Sequence, residues 1–198
     1  MSATRRLAVR APAPDGPLRA FEPSLDEVRT VAGELCRCYN DEHNRAMLGH
    51  STTMSAEDVV ACYEALWEEG GHPLLLEQAG ALVGDADLRN VQGDEAEFAI
   101  LIGARSRQGQ GLGTRFGVLV HALGFRGLGL RRTYASVIPA NEPSLRLMLR
   151  LGYRRDDSPP VRARAEAPDD VVLVLERADF EEAHAESLAQ LAVAERAD

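Results

Sequence analysis

The stretch from Glu97 to Gly124 constrains the fold of this chain more than any other. Its first part, Phe98 to Ile102, is a short apolar run typical of a buried strand. Glycines follow at 109, 111 and 113, and apolar residues then recur at helical spacing at Leu112, Phe116, Leu119 and Leu123. A strand, a glycine-rich turn and a helix therefore follow one another directly. Because a helix start carries unpaired N–H groups and a partial positive charge, the turn predicts an anion site.

Two common kinds of phosphate loop are excluded. All 22 basic residues are arginine, which rules out a lysine-containing Walker loop, a pyridoxal-phosphate Schiff base and a kinase catalytic lysine. The spacing G-x-G-x-G also differs from the dinucleotide fingerprint G-x-G-x-x-G. In addition, the segment lies in mid-chain without a preceding βαβ unit.

Length and charge limit the class of protein. A chain of 198 residues is long enough for one domain with a sizeable core, and its longest apolar runs, about five residues, are too short to span a membrane. The N-terminus has no apolar segment of the signal-peptide type, so we expect a soluble, cytoplasmic protein. A net charge of −9 argues against nucleic-acid binding and is compatible with cationic acceptors. The three cysteines lack metal-ligand spacing and are expected to be reduced: Cys36, Cys38 and Cys62.

Helix signals occur at three places. Ser24 with Glu27, and Ser55 with Asp58, form capping boxes before helices over about Leu25–Leu35 and Ala56–Trp67. Asn141 is a suitable N-cap for a third helix, which Gly152 ends. The polar segment from Asn40 to Thr53 has no regular pattern and is expected to be loop or short helix.

The remaining pattern predicts a sheet. Thr4 to Arg10 is interpreted as an edge strand, Ala11 to Pro17 as a loop, and residues 73–88 as a hairpin. Further strands are predicted at Arg131–Ile138, from Tyr153 and at Val171–Leu175. Phe180 to Arg196 is interpreted as a helical tail, solvated on one side. The order predicts an α/β (α+β) fold with a mostly antiparallel central sheet flanked by helices, as one domain over residues 1–178 and an acidic helical tail over 179–198.

The glycine turn resembles the acetyl-CoA motif of the GNAT superfamily of N-acetyltransferases, [RQ]-x-x-G-x-[GA]. Here it is Gln108-Gly-Gln-Gly-Leu-Gly113, followed by Thr114. A second match begins at Leu128: a strand, Asn141-x-x-Ser144, a helix and Leu-Gly152-Tyr153. This form is similar to the branch that contains ribosomal-protein N-terminal acetyltransferases. The resemblance covers roughly residues 74–153 and implies the acyl-CoA N-acyltransferase fold.

The resemblance also implies a set of cofactor-binding residues. The loop would hold the CoA pyrophosphate with backbone N–H groups, and a strand backbone would pair with the pantetheine arm. The residues concerned are Ile100, Leu101, Ile102, Gln108, Gly109, Gln110, Gly111, Leu112, Gly113 and Thr114, together with Asn141 near the pantetheine or the acceptor. For the glycines, a purely structural turn is the alternative. Asn141 could cap a helix and also bind near the pantetheine or the acceptor. Arg105 and Arg107 could contact the CoA phosphates.

The acceptor amine needs a base, because a lysine-type ammonium has a pKa of about 10.4. Glu97 is the first candidate, since family members often carry an acidic residue near this position. Its alternative is a solvated carboxylate on the outer side of the strand. Asp85 and Asp87 are second candidates, because strand alternation places them on one face.

The sequence identifies the proton donor for the leaving thiolate less clearly than the base. Many relatives carry a tyrosine where this chain has Met148, and a thioether cannot donate a proton. Tyr153 is the first candidate for the proton donor, and Tyr134 is the second. For both, the alternative is an aromatic side chain packed on a strand. The proton could also come from the amine or from water. His43, His50 and His72 lie where the family builds its acceptor site, and His121 is expected to be structural.

The predicted activity is transfer of an acetyl group from acetyl-CoA to a primary amine, either a small molecule or a protein N-terminus. The alternatives are transfer of a longer acyl group and a non-catalytic acyl-CoA sensor. Acetyl-CoA is the expected co-substrate, with no metal. No nucleic-acid or membrane partner is expected, and the chain is predicted to be a monomer or homodimer.

Overall fold

The computed structural model describes residues 6–49 and 51–196. The strands within these residues are β1 (Leu7–Ala11), β2 (Leu18–Phe21), β3 (His72–Gln78), β4 (Ala81–Gln92), β5 (Glu95–Ile102), β6 (Arg132–Val137), β7 (Arg154–Arg155), β8 (Val171–Glu176) and β9 (Ala192–Glu195). The helices are α1 (Leu25–Asn40), α2 (Glu42–Met47), α3 (Ala56–Glu68), α4 (Leu112–Ala122), α5 (Glu142–Leu151), α6 (Pro159–Arg162), α7 (Arg177–Ala183) and α8 (Ala185–Leu188).

The strands form one sheet in the order β7-β8-β6-β5-β4-β3-β2-β1-β9. Every neighbouring pair is antiparallel except β5 and β6, which are parallel. The expectation of a mostly antiparallel central sheet flanked by helices is therefore confirmed. Within residues 6–49 and 51–196, no helix is both long and apolar enough to cross a bilayer.

The parallel pair separates soon after it forms. β5 and β6 are in register only from Glu95 with Arg132 to Glu97 with Tyr134. Beyond this point β6 stays paired with β8 as far as Val137, whereas β5 runs on to Ile102 with β4 as its partner. Among the described residues, one edge of β5 after Glu97 consequently has no neighbouring strand, and backbone groups on a free edge are available to a ligand.

Strand alternation sends side chains to two separate helical layers. Leu75 of β3 packs with Val28 and Leu35 of α1 and Val59 of α3, whereas its neighbours Leu74 and Leu76 belong to the core on the opposite face. That opposite core includes α4, α5 and α7. Both predicted capping boxes and the Asn141 cap are confirmed, so the helices begin where the sequence indicates.

A polar network lies within the larger core. His121 Nδ1 lies 2.7 Å from the Gly117 carbonyl oxygen, which can only accept, so this nitrogen carries the proton. Burial lowers the pKa of His121 to about 4 and keeps the ring neutral. Nε2 is therefore an acceptor, and the Tyr153 hydroxyl donates to it over 2.7 Å. The same hydroxyl oxygen is 2.8 Å from Thr133 Oγ1, whose proton it then accepts.

Three sequence expectations need correction. Thr4 and Arg5 lie outside the described residues, and β1 is not at an edge, because β9 pairs with it on the side away from β2. The strand β2 was missed, although its four residues follow the predicted loop. The tail is not one helix. After α7 and α8 it becomes strand β9, and just beyond this strand Arg196 Nη2 donates to Glu27 Oε1 over 2.6 Å.

The Tyr153→Phe substitution tests whether this tyrosine belongs to the core network or to catalysis. Removing the hydroxyl leaves His121 Nε2 buried without its donor, which costs about 1–3 kcal/mol. We expect the free energy of unfolding, measured in urea, to fall by that amount. Turnover per folded molecule should stay within about twofold of the original protein. A large loss of turnover in a fully folded variant would return Tyr153 to the catalytic candidates.

Candidate active site

The glycine turn leaves the start of α4 open. Gly109 and Gly111 have φ angles of 74° and 77°, in the left-handed region that favours glycine. A Cβ atom built on either residue would meet nothing within 4 Å. Gly111 is the N-cap of α4, and no side chain in the described part of the chain caps the helix. The first-turn N–H groups of α4 are therefore without an intrahelical partner beside open space.

A cavity of about 410 Å³, here the loop cavity, lies in front of this turn. It is lined by the free-edge residues Ile100, Leu101 and Ile102, by Gln108, Gly109, Gly111, Gly113 and Thr114 of the loop, and by Asn141. The structure thus brings together all the predicted cofactor-binding residues except two. Gln110 is exposed and donates to the Ser106 carbonyl oxygen, and Leu112 is buried in the core.

Asn44 holds the loop against the first helices. It is 2% exposed, and its Nδ2 donates to the carbonyl oxygens of Cys38 and Gly103, each over 2.9 Å. Its Oδ1 accepts from Gln108 Nε2 at 2.8 Å, while Gln108 also donates to the Ile102 carbonyl oxygen. Sequence reasoning missed this residue, because Asn44 lies in a segment without periodicity and its partners are distant in the chain.

Asn141 connects α5 to α2. Its Oδ1 accepts from the Ser144 backbone N–H at 3.1 Å, and its Nδ2 donates to the Met47 carbonyl oxygen at 2.9 Å. The predicted cap is confirmed, and the same side chain lines the loop cavity.

A second cavity of about 430 Å³, here the acidic cavity, lies over β4 and β5. Its charged lining residues among those described are Glu69, Asp85, Asp87, Arg89 and Glu166. The two cavities share six lining residues: Met47, Leu48, Ile100, Leu101, Asn141 and Ser144. They therefore meet at the free edge of β5 and the first turn of α5, where a molecule bound in one can reach a molecule bound in the other.

Asp85 and Asp87 lie on the face of β4 that the acidic cavity covers. Asp85 Oδ2 accepts hydrogen bonds from the hydroxyls of Tyr39 and Tyr63, the latter at 3.1 Å. Burial raises the pKa of Asp85 to about 6 in spite of these two donors. Sequence alternation correctly placed the two aspartates together.

Asp87 has little hydrogen-bonding support for its carboxylate. Its cross-strand neighbours are Pro73 and Ala99, whose side chains cannot donate. Of the described residues none donates a hydrogen bond to Oδ1, which lies 3.7 Å from Arg89 Nε. Burial raises the pKa of Asp87 to about 7; Arg89 opposes this rise, and nearby carboxylates, Asp85 foremost, add to it. The side chain keeps 18% exposure and lines the cavity.

Glu97 lies behind this cavity. Its side chain is 1% exposed, so the alternative of a solvated outer carboxylate is wrong. Oε1 accepts from Arg89 Nη2 at 2.9 Å and from Nε at 3.3 Å, and Oε2 accepts from Asn90 Nδ2 at 2.8 Å. Glu97 is not among the lining residues of either cavity.

The tyrosine candidates lie elsewhere in the fold. Tyr153 is 2% exposed in the core network, which removes it from contact with either cavity. Tyr134 packs under the Arg164 guanidinium, 4.7 Å from the ring centroid. Met148, at the position where relatives carry tyrosine, does line the acidic cavity.

The other polar candidates are dispersed. His43 lines the loop cavity, whereas His72 Nδ1 lies 2.6 Å from Glu22 Oε1 and His50 lies outside the described residues. Arg107 lines the loop cavity and donates to Gln78, and Arg105 donates to Gln108. All three cysteines are free thiols, and no cluster of metal-ligating side chains occurs in residues 6–49 and 51–196.

Comparison with known proteins now identifies the family. Residues 18–154 match the model of the acetyltransferase (GNAT) domain. The chain belongs to the GNAT acetyltransferase family. Membership makes it an acetyl-CoA-dependent acyltransferase, as the two motifs predict. No curated protein has a matching sequence.

Solved GNAT structures share the fold at low sequence identity. Mycobacterium smegmatis RimJ in complex with CoA-disulfide has 16% identity and a TM-score of 0.71, covering 93% of this chain and 95% of that chain. Aminoglycoside acetyltransferase AAC(6')-Ib in complex with coenzyme A has 18% identity and a TM-score of 0.67, covering 89% and 98%. A Vibrio cholerae protein provisionally described as a ribosomal-protein-serine acetyltransferase has 21% identity and a TM-score of 0.60, covering 84% and 97%.

The loop cavity of this GNAT chain suits a pyrophosphate-bearing ligand such as CoA. Phosphate oxygens need donors, and an uncapped helix start beside open glycines supplies backbone N–H groups and a favourable dipole. The free edge of β5 leads from this turn toward the acidic cavity.

A valine at Gly111 tests the assignment of the loop. Its side chain would occupy the open space in front of α4, so we expect the dissociation constant for CoA, measured by calorimetry, to rise at least tenfold. Gly93→Val is the matched control, because Gly93 also has a positive φ, 63°, and open space around its Cβ position. Both variants should lose stability by roughly 1–2 kcal/mol from the left-handed backbone. Equal CoA affinity in the two folded variants would contradict the assignment.

Proposed function

We propose that this chain transfers the acetyl group of acetyl-CoA to a primary amine bound in the acidic cavity. The observation that carries the proposal is Asp87, whose side chain is 18% exposed in a cavity that meets the loop cavity, and whose buried Oδ1 accepts no hydrogen bond from the described residues. A carboxylate with these surroundings attracts an ammonium group and can accept its proton. Four carboxylates and one arginine among the described lining residues add to the preference for a cation.

In this proposal, the residues of the two cavities have different roles. Bound acetyl-CoA supplies an activated acyl group on sulfur. Backbone groups of Ile100 to Ile102 and the first turn of α4 orient it, with Asn141 and Ser144 at the junction. Asp87 takes one proton from the acceptor ammonium, and the nitrogen can then attack the acyl carbon. The carbon–sulfur bond breaks, and the second nitrogen proton passes to the thiolate directly or through water, because Met148 cannot donate.

Asp87 suits proton transfer better than Glu97. A general base works best when its pKa lies near the working pH, and burial raises that of Asp87 to about 7. The Glu97 carboxylate already accepts from Arg89 and Asn90 and is shielded from the cavity. We therefore assign Glu97 a positioning role, in which it holds Arg89 beside Asp87.

The activity itself is tested with the full chain, acetyl-CoA and a panel of primary amines. Free CoA and acetylated amine are separated by chromatography, and their amounts should be equal. Tight CoA binding with no product from any amine would favour the acyl-CoA sensor. Faster turnover with a longer acyl-CoA would favour the alternative acyl donor.

Substitution at the two carboxylates separates their roles. We expect Asp87→Asn to lower kcat by about 10²–10⁴-fold, the usual contribution of a general base. In the original protein kcat/KM should rise with pH through about 7, because Asp87 acts only after it loses its proton. The other charged groups near Asp87 are Asp85, Arg89, Glu97 and Glu166.

Glu97→Gln should keep this pH dependence but move it to lower pH. Removal of the neighbouring negative charge lowers the pKa of Asp87, because Glu97 contributes to raising it. The competing assignment predicts the opposite pattern: Glu97→Gln would lose most of its turnover, with partial rescue at high pH. An Asp87→Asn variant with an unchanged pH profile would remove Asp87 from the mechanism.

A further inference from the structure

The acidic cavity contains more carboxylates than the binding of one ammonium requires. Asp85 is held by two tyrosine hydroxyls, and Asp87 remains for the reacting nitrogen. Glu166 is a further carboxylate in the lining, on the loop between α6 and β8. Glu166 belongs to neither of the two sequence motifs, and it takes no part in the proposed proton transfer.

The fold holds Glu166 over the sheet. Its backbone N–H donates to Ser136 Oγ at 3.0 Å. Two residues earlier, Arg164 donates to Glu95 at 2.8 Å and its guanidinium lies over the Tyr134 ring. These contacts fix the loop at Glu166 and just before it. The Glu166 side chain nevertheless stays 51% exposed, so a ligand can reach it.

This position already binds one cationic group, which belongs to the chain itself. Arg89 Nη2 lies 2.5 Å from Glu166 Oε1 and 2.9 Å from Glu97 Oε1. Arg89 makes two contacts with the buried Glu97 and one with the half-exposed Glu166. The arginine can therefore keep its place on Glu97 while Glu166 exchanges this contact for another cation.

The spacing between Glu166 and Asp87 fits a short diamine. Asp87 lies on β4, and Glu166 lies over β6, to whose Ser136 its backbone is bonded. Asp87 Oδ1 lies 3.7 Å from Arg89 Nε and Glu166 Oε1 lies 2.5 Å from Arg89 Nη2, so the two carboxylates border one guanidinium, and both side chains line the acidic cavity. An aliphatic chain of four or five carbons between two nitrogens is long enough to reach from one carboxylate to the other along the cavity side of Arg89.

We propose that Glu166 binds a second positive charge of the acceptor, so that the preferred substrates are aliphatic diamines and polyamines. The inference rests on the proposed function, because it names the acceptor class of the same site. Asp87 binds the nitrogen that reacts, and Glu166 binds the nitrogen that does not. A monoamine, or a peptide N-terminus followed by uncharged residues, leaves Glu166 with Arg89 alone.

The test compares 1,4-diaminobutane and 1,5-diaminopentane with butylamine and pentylamine as acceptors for the full chain. We expect kcat/KM to be at least tenfold higher for each diamine than for the monoamine of equal length. Glu166→Gln should remove most of this preference through a higher KM for the diamines, with kcat changed less than threefold. Raising the salt concentration should reduce the preference in the original protein, because it screens the second charge.

Asp157→Asn is the matched control. It removes one carboxylate from the same connection between β7 and β8, on the other side of α6, where Asp157 pairs with Arg155 and lines neither cavity. Its diamine preference should equal that of the original protein, and thermal unfolding should show that both variants fold.

Equal kcat/KM for diamines and monoamines would overturn the role of Glu166 and leave amine acetylation standing. The same conclusion follows if Glu166→Gln slows both classes equally, or if an uncharged peptide N-terminus is the better acceptor. Absence of turnover with every amine would instead overturn the proposed function together with this inference.

Discussion

The site depends on the early separation of β5 from β6. A parallel pair of three residues joins the two halves of the sheet, and its register ends at Glu97 and Tyr134. Beyond that point, the backbone of β5 cannot complete its hydrogen bonds within the sheet on that side. The open edge lies between the loop cavity and the acidic cavity, so one interruption in strand pairing supplies both a backbone surface for a ligand and the junction of the two cavities.

Arg89 organises the charges beneath this junction. Its guanidinium contacts Glu97 and Glu166 and lies near Asp87, so that one cation serves three carboxylates. The buried Glu97 accepts hydrogen bonds from both Arg89 and Asn90. Of the three carboxylates around Arg89, only Asp87 and Glu166 therefore present negative charge to the cavity. The arrangement keeps the sheet intact while it leaves an anionic surface for an acceptor.

Local sequence signals predicted where four helices begin: α1, α3, α4 and α5. Capping boxes, the Asn141 cap and the glycine turn each depend on residues within about five positions of one another, and all are present in the structure. The strand β9 could not be predicted in this way. Its alanine- and glutamate-rich residues favour a helix by intrinsic propensity, but pairing with β1, almost 190 positions away, overrides that preference.

The acidic cavity shows why residue type alone could not select the proposed base. Asp87 and Glu97 are both carboxylates on adjacent strands, and alternation places them on the same face. What separates them is the cross-strand partner: Glu97 lies opposite Arg89, whereas Asp87 lies between Pro73 and Ala99. A partner that donates makes a carboxylate structural, and a partner that cannot donate leaves it available. The register between strands determines which residue lies opposite each carboxylate. The local pattern of a single sequence does not reveal that register.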